Sequence, residues 1–299
     1  MQKSTLRFVI TSALAATISG VSQGSERPRK IEVLGHRGAR ASRPENTMPA
    51  FRFAIDAGAD TLELDVQMTK DGYLIVAHDR TVPTALCQSM DGRKLATGRA
   101  IRELTLAEIR DLDCGSLKNE DFPNQVPAPK TTMPKLEDVF ELVASHQVQA
   151  KSQINLQIEV KGVPRYTTAA DSPDVLAGAI IAAAKKYQLI DRIVIQSFDH
   201  RVIAAAKKIN PRIKTAALLA PNLPDWVSVL KSSGASIISP HLDWVTKEAV
   251  DAAHKYGAKV VPYTANHEAD WKFLITCGVD GIITDDPQAL IKYLADKSG

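Results

Sequence analysis

The chain has 299 residues, 44% of them hydrophobic, with 37 basic and 34 acidic side chains and a formal net charge of +3. That length is ample for one large buried core. The near-balanced charge, with no basic run or Lys/Arg cluster, argues against a nucleic-acid partner or an anionic membrane surface.

The first residues read as a processing segment. Lys3 and Arg7 give a basic start, Phe8 to Ile18 is mostly apolar, and Ser19, Gly20, Ser22 and Gly24 follow. This is the layout of a secretory signal peptide, and the run is too short to span a bilayer comfortably. Residues 1–24 are therefore expected to be removed, leaving 25–299 as the working domain, periplasmic or secreted, with no stable membrane anchor. Without Lys3 and Arg7 the basic count falls from 37 to 35 against 34 acidic residues, or +1.

From there, short apolar runs alternate with helical patterns. Strands are predicted at Ile31–Gly35, Thr61–Val66, Ile154–Val160, Arg192–Ser197, Lys214–Leu219, Ala235–Ser239, Lys259–Tyr263 and Gly281–Thr284. Most are rich in Val, Ile and Leu, as strands buried on both faces are. Helices are predicted at Met48–Ala57, Val175–Tyr187, His200–Ile209, Leu223–Ser232, Lys247–Tyr256 and Glu268–Cys277. Gly58, Gly234, Gly257 and Gly278 stand at C-cap positions, and Thr246 and Asn266 where N-caps are useful. Eight strands alternating with helices predict a (β/α)8 TIM barrel. An open doubly wound sheet is disfavoured, because no Gly-rich phosphate loop with dinucleotide spacing follows the first strand.

Two segments break the rhythm. Asp71-Gly72 between Thr61–Val66 and Tyr73–Ala77 predicts a hairpin; a two-residue loop would pair Lys70 with Tyr73 and set Asp65 opposite His78. Arg80–Pro134 carries one clear helix, near Leu104–Leu112 with Thr105 as N-cap, and reads as an insertion over one side of the barrel mouth. Cys87 and Cys114 both lie in that region and can form a bridge in an oxidising compartment, whereas Cys277 sits in an apolar helical stretch as a buried thiol.

Catalysis in such barrels sits at the C-terminal strand ends. His36 and Arg37 follow the first strand, with Glu45 and Asn46 beyond. Glu63 and Asp65 end the second and share a face by their spacing of two. His78 and Asp79 end the return arm, and Glu159 and Lys161 end the next strand. Glu63, Asp65 and Glu159 converging at one mouth would repel unless a cation sits between them, and all-oxygen ligation suits Mg²⁺ or Ca²⁺. Arg37 and Lys161 beside them suit the oxygens of a phosphoryl group. His36 and His78 can exchange protons near neutral pH. The other histidines are expected to be structural, His241 least clearly so because a strand ends just before it.

These residues carry a family resemblance. His36-Arg37-Gly38, Pro44-Glu45-Asn46-Thr47, Glu63-Leu64-Asp65-Val66, Thr69-Lys70-Asp71-Gly72 and His78-Asp79 resemble the glycerophosphodiester phosphodiesterase family. Met133-Pro134-Lys135-Leu136-Glu137, Glu159-Val160-Lys161, Gln196-Ser197-Phe198 and the run from Gly278 to Asp285 follow in order. The resemblance implies a barrel of the phospholipase C-like phosphodiesterase type. It also implies a general acid/base pair in His36 and His78 and a divalent ion on Glu63, Asp65 and Glu159. Phosphate binding would fall to Arg37 and Lys161, with Glu45 and Asn46 in support. The implied substrates are small glycerophosphodiesters, cleaved to sn-glycerol 3-phosphate and an alcohol, with the insertion closing over the glycerol end. Where the family usually has Trp-Thr-x-Asn, this chain has Tyr263-Thr264-Ala265-Asn266, so Tyr263 alters the wall near the leaving group. Two alternatives stand beside this: a phospholipase D-like or lysolipid phosphodiesterase on the same barrel, and a non-catalytic glycerophosphodiester-binding protein. The alcohol moiety and the oligomeric state are left open.

Overall fold

The computed structural model describes residues 30–150, 153–162, 172–220, 223 and 225–298. The expected signal segment, 1–24, lies outside the described residues.

Eight parallel strands form the barrel, in the order β10 (Lys259–Val260), β9 (Ile237–Pro240), β8 (Lys214–Leu219), β7 (Ile193–Ser197), β6 (Asn155–Val160), β2 (Thr61–Met68), β1 (Glu32–Gly35) and β11 (Gly281–Thr284). The run predicted to reach Tyr263 stops as a strand at Val260: Val261 N–H still donates to Ile238 O (3.0 Å), but Pro240 on β9 has no N–H to return to Val261. Closure is completed by backbone bonds from Asp280 N–H to Val260 O (2.9 Å), Ile283 N–H to Pro262 O (3.0 Å) and Ala265 N–H to Ile283 O (3.0 Å). The (β/α)8 expectation holds.

Helices α1 (Met48–Ala57), α3 (Leu136–Ala150), α4 (Pro173–Lys186), α5 (His200–Ile209), α6 (Trp226–Ser233), α7 (Lys247–Tyr256), α8 (Glu268–Cys277) and α9 (Pro287–Ser298) ring the sheet. The four predicted C-cap glycines all adopt the left-handed conformation after their helices. Helix α6 starts at Trp226 rather than Leu223, because the Asp225 side chain caps it by accepting from Ser228 N–H (3.0 Å). Leu62, Phe51, Phe140 and Ile180 fill the layer between sheet and helices, whereas Leu34, Val194, Ala216, Ile237, Val261 and Ile283 cluster separately.

The hairpin departs from expectation. Strand β3 (Leu74–Val76) pairs antiparallel with β2, with Val66 facing Val76 and Met68 facing Leu74. The loop has three residues, not two: Thr69 N–H donates to Tyr73 O (2.9 Å), and Gly72 supplies the left-handed φ of 85°. The extra residue shifts the register by one, so Ala77, not His78, meets Asp65; Ala77 N–H donates to Asp65 O (3.0 Å).

Residues 80–134 carry their own small core of Val82, Cys87, Ile101, Leu104 and Ile109, packed on Ile75 and Ala77 of the return arm. A two-stranded sheet, β4 (Gln88–Ser89) with β5 (Leu112–Asp113), and helix α2 (Leu106–Arg110) frame it. Thr105 caps α2 in a capping box with Glu108. Cys87 and Cys114 are disulfide-bonded, and Cys277 is a buried free thiol. The segment reaches the barrel through Gln125, which donates to Arg40 O (2.6 Å), and Val126 N–H, which donates to Ser42 O (3.0 Å). Among the described residues no helix is long and apolar enough to cross a membrane.

Candidate active site at the barrel mouth

A cleft of about 370 Å³ opens at the C-terminal strand ends, lined by His36, Arg37, Glu63, His78, Glu159, Lys161 and Tyr263 among others. The first turn of chain after β1 sets one wall. Arg37 (φ 50°) and Gly38 (φ 90°) are both left-handed, and a Cβ at Gly38 would lie 2.8 Å from Ala50. Only glycine fits that close approach. The turn aims Arg37 N–H at Glu63 Oε2 (3.0 Å).

The pairing of β2 with β6 sets the floor. Asp65 lies beside Glu159 and Glu63 beside Gln157 in register. One oxygen from each of Glu63, Asp65 and Glu159 lies within 4.8 Å of the others, and all three residues are buried. Gln196 Nε2 donates to Glu63 Oε1 (2.8 Å) and is itself fixed by Gln157 Nε2, which donates to Gln196 Oε1 (2.7 Å). Asn46 Nδ2 donates to Asp65 Oδ2 (2.9 Å). Lys161 Nζ stands 2.9 Å from Asp65 Oδ1 and 2.6 Å from Glu159 Oε1.

Burial and mutual repulsion push the Glu63 and Glu159 carboxyls up, Glu159 to about 7. Asp65 goes the other way: burial disfavours its charge, but Lys161 and Arg37 outweigh that and hold it ionised. Crowding thus favours protons on Glu63 and Glu159, which a bound cation would displace. Asp65 Oδ1, although close to Lys161, receives no well-aligned hydrogen bond. A buried acceptor left open among hard oxygen donors fits a divalent cation such as Mg²⁺ or Ca²⁺.

Arg37 Nη1 donates to Glu45 Oε1 (2.6 Å), with its Nε 3.6 Å from Asp65 Oδ2. Glu45 and Asn46 therefore brace Arg37 and Asp65 from behind the cleft. His36 and His78 both line the cleft, although His78 reaches it from past the end of β3 rather than from a rung opposite Asp65. His36 Nδ1 is 2.6 Å from Asp285 Oδ1, and His78 Nδ1 is 2.8 Å from Asp79 Oδ1. Tyr263 donates its hydroxyl to Leu219 O (3.1 Å) and meets Phe198 and His241 edge-on, with centroids 5.9 and 5.6 Å away.

Sequence reasoning thus gathered the main residues of the cleft but missed Asp285, Gln196, Arg40 and Phe198 as site residues. Gln196 and Phe198 stand at the end of β7, and Asp285 directly follows β11. Polar residues at the ends of all eight strands, rather than the first four, are the signal that finds two of them. Asn266 does not cap α8: His267 takes the N-cap position, and the Asn266 amide donates instead to Asp285 Oδ2 (2.7 Å).

The sequence matches the Glycerophosphoryl diester phosphodiesterase family over residues 36–289. The chain belongs to that family. It is similar to a glycerophosphodiester phosphodiesterase of Caldanaerobacter subterraneus subsp. tengcongensis, 34% identical over 266 residues that cover 89% of this chain and 98% of the relative. Among solved structures it is similar to a Silicibacter pomeroyi DSS-3 protein, with a TM-score of 0.84, 32% identity, and coverage of 91% and 95%. An Oleispira antarctica phosphodiesterase solved with the product sn-glycerol-3-phosphate shares the fold, with a TM-score of 0.73, 22% identity, and coverage of 88% and 96%. Within this family, the cleft built here from β1, β2, β6 and the hairpin is the candidate active site.

Proposed function

We propose that this chain hydrolyses glycerophosphodiesters to sn-glycerol 3-phosphate and an alcohol in this cleft, using a divalent cation and a pair of histidines. The observation that carries the reading is the convergence of His36 and His78, three buried carboxylates and the cationic side chains of Arg37, Arg40 and Lys161 at the C-terminal end of the barrel. Family membership and the product held by the Oleispira antarctica phosphodiesterase support the substrate class. An intact pair of proton-transfer groups argues against a protein that only binds.

Glu63, Asp65 and Glu159 would hold the cation, which supplies positive charge to the phosphoryl oxygens when bound. Arg37 and Lys161 orient the same phosphate. One histidine takes the proton of the attacking water as a P–O bond forms; the other gives a proton to the alkoxide as its P–O bond breaks. Phe198, Tyr263 and His241 wall the side away from the insertion, where an organic substituent of the phosphate would lie. We further propose that residues 1–24 direct export, so that the protein works in the periplasm or outside the cell. The Cys87–Cys114 disulfide supports an oxidising compartment. N-terminal sequencing of exported material should begin between about Gly20 and Arg27; Met1 retained on such material overturns the export reading.

The test of the main proposal is a panel of glycerophosphodiesters assayed with Mg²⁺ or Ca²⁺ after chelation. Release of sn-glycerol 3-phosphate is expected, and no turnover on any member refutes the assignment. A second reading, a lysolipid phosphodiesterase, has one observation in its favour: Phe198 and Trp244, on the loops after β7 and β9, are 44% and 40% exposed. Faster turnover of lysolipids than of their deacylated counterparts would establish it.

A further inference from the structure

We infer that Asp285 is a positioning residue for the reaction, acting through His36: it fixes the imidazole so that Nε2 serves the cleft as the proton acceptor. The inference rests on the proposed two-histidine hydrolysis and adds to it the part played by each ring.

Barrel closure makes the contact. Gly35 pairs with Thr284 in the β1–β11 register, and His36 N–H donates to Thr284 O (2.8 Å), so the next residue on each strand meets across the seam. Asp285 Oδ1 lies 2.6 Å from His36 Nδ1, although the residues are 249 apart in sequence. Asp285 is buried, at 5% exposure, and is held from several sides. Asn266 Nδ2 donates to its Oδ2 (2.7 Å), and its own N–H donates to Asn266 Oδ1 (2.9 Å). Arg40 Nε lies 3.7 Å from Oδ1. A carboxylate so surrounded stays ionised and can only accept. Nδ1 must therefore carry the hydrogen, which leaves Nε2 as the basic nitrogen.

His78 is placed differently. Its partner Asp79 has a side chain 54% exposed, against 8% for Asp285. His78 Nδ1 also meets a carboxylate, at 2.8 Å, but water competes for that exposed pair, so it holds its ring less firmly than the buried pair does. The geometry therefore makes His36 the base: the proton of the attacking water passes to its Nε2, and the imidazolium formed is stabilised by Asp285. His78 gives its proton to the departing alkoxide.

The test is a kinetic cycle of His36→Ala, Asp285→Asn and the double variant, on one glycerophosphodiester with saturating metal. Asp285→Asn should lower kcat by about 10²–10⁴-fold, as expected when a base loses its tautomer control, with KM little changed. In the His36→Ala background it should cost almost nothing more, because the two act as one unit. On a nitrophenyl diester, Asp285→Asn should remain slow while His78→Ala recovers. Should Asp285→Asn fail to fold by thermal melting, Asn266→Ser, which frees the carboxylate without removing it, should give the same pattern at smaller amplitude. Near-normal turnover of Asp285→Asn beside an inactive His36→Ala overturns this inference and leaves the proposed hydrolysis standing, as do fully multiplicative losses. Near-normal turnover of His36→Ala overturns both.

Discussion

Lys161 Nζ lies 2.9 Å from the buried Asp65 Oδ1, a cation wedged into the carboxylate floor of the cleft. Glu159 Oε1 is nearer still, at 2.6 Å. One ammonium thus serves two carboxylates, while Glu63 accepts from the neutral amide of Gln196 and the backbone N–H of Arg37. The imbalance has consequences for metal and for pH.

Excess chelator should abolish turnover, and Mg²⁺ or Ca²⁺ should restore it. A cation must displace protons from Glu63 and Glu159, whose carboxyls are raised. Affinity for Ca²⁺ should therefore fall as pH drops below about 7, the value to which Glu159 is pushed. Calorimetric titration at pH 8 and pH 6 checks this; equal affinity at both contradicts the carboxylate site.

The same shifts affect stability without metal. A carboxyl raised on folding binds more protons in the native state, so its contribution is present at low pH and lost as pH rises through the raised value. For Glu159 that window runs from the ordinary 4.5 to about 7. The metal-free melting temperature should decline across it, and saturating Ca²⁺ should flatten the decline. Asp65, held low, acts only at more acid pH and does not mask the effect. A metal-free melting temperature that climbs from pH 5 to pH 7 goes against this.

Removing His36 or His78 should each cost about 10²–10⁴-fold in turnover. The double variant should lose far less than the product of the two. Neither variant should weaken Ca²⁺ binding, since neither ring belongs to the carboxylate cluster. Loss of metal binding in either, measured by calorimetry, would show that the histidine does something other than move a proton.

How far the sequence spoke for this site depends on the distance over which each contact forms. Strand and helix spans such as Lys214–Leu219 and Lys247–Tyr256 were legible because buried strands and amphipathic helices impose local patterns. Glu63 and Asp65 were legible as a same-face pair for the same reason. The Asp65–His78 pairing was misplaced because loop length depends on how Thr69 bonds back to Tyr73, a hydrogen bond the residue letters do not display. Asp285 and Gln196 escaped because their partners lie 249 and 133 residues away and meet them only through barrel closure and strand stacking.

The disulfide closes a loop with a sequence separation of 27, which corresponds to about 3–4 kcal/mol from loop-closure entropy. Cys87 and Cys114 both line the cavity between the insertion and the chain following β1, as does His78. Reduction, or Cys87→Ala with Cys114→Ala, should therefore loosen residues 80–134 first. Limited proteolysis should cut there while the barrel stays folded. Unchanged proteolysis after verified reduction contradicts that division of the fold.

Release of sn-glycerol 3-phosphate from glycerophosphocholine, followed by phosphorus NMR on the purified chain, tests the central claim most directly. Accumulation is expected with Mg²⁺ or Ca²⁺, with arrest on chelation and the same arrest in His36→Ala that still binds Ca²⁺. Full turnover in excess chelator, or by His36→Ala, would contradict it.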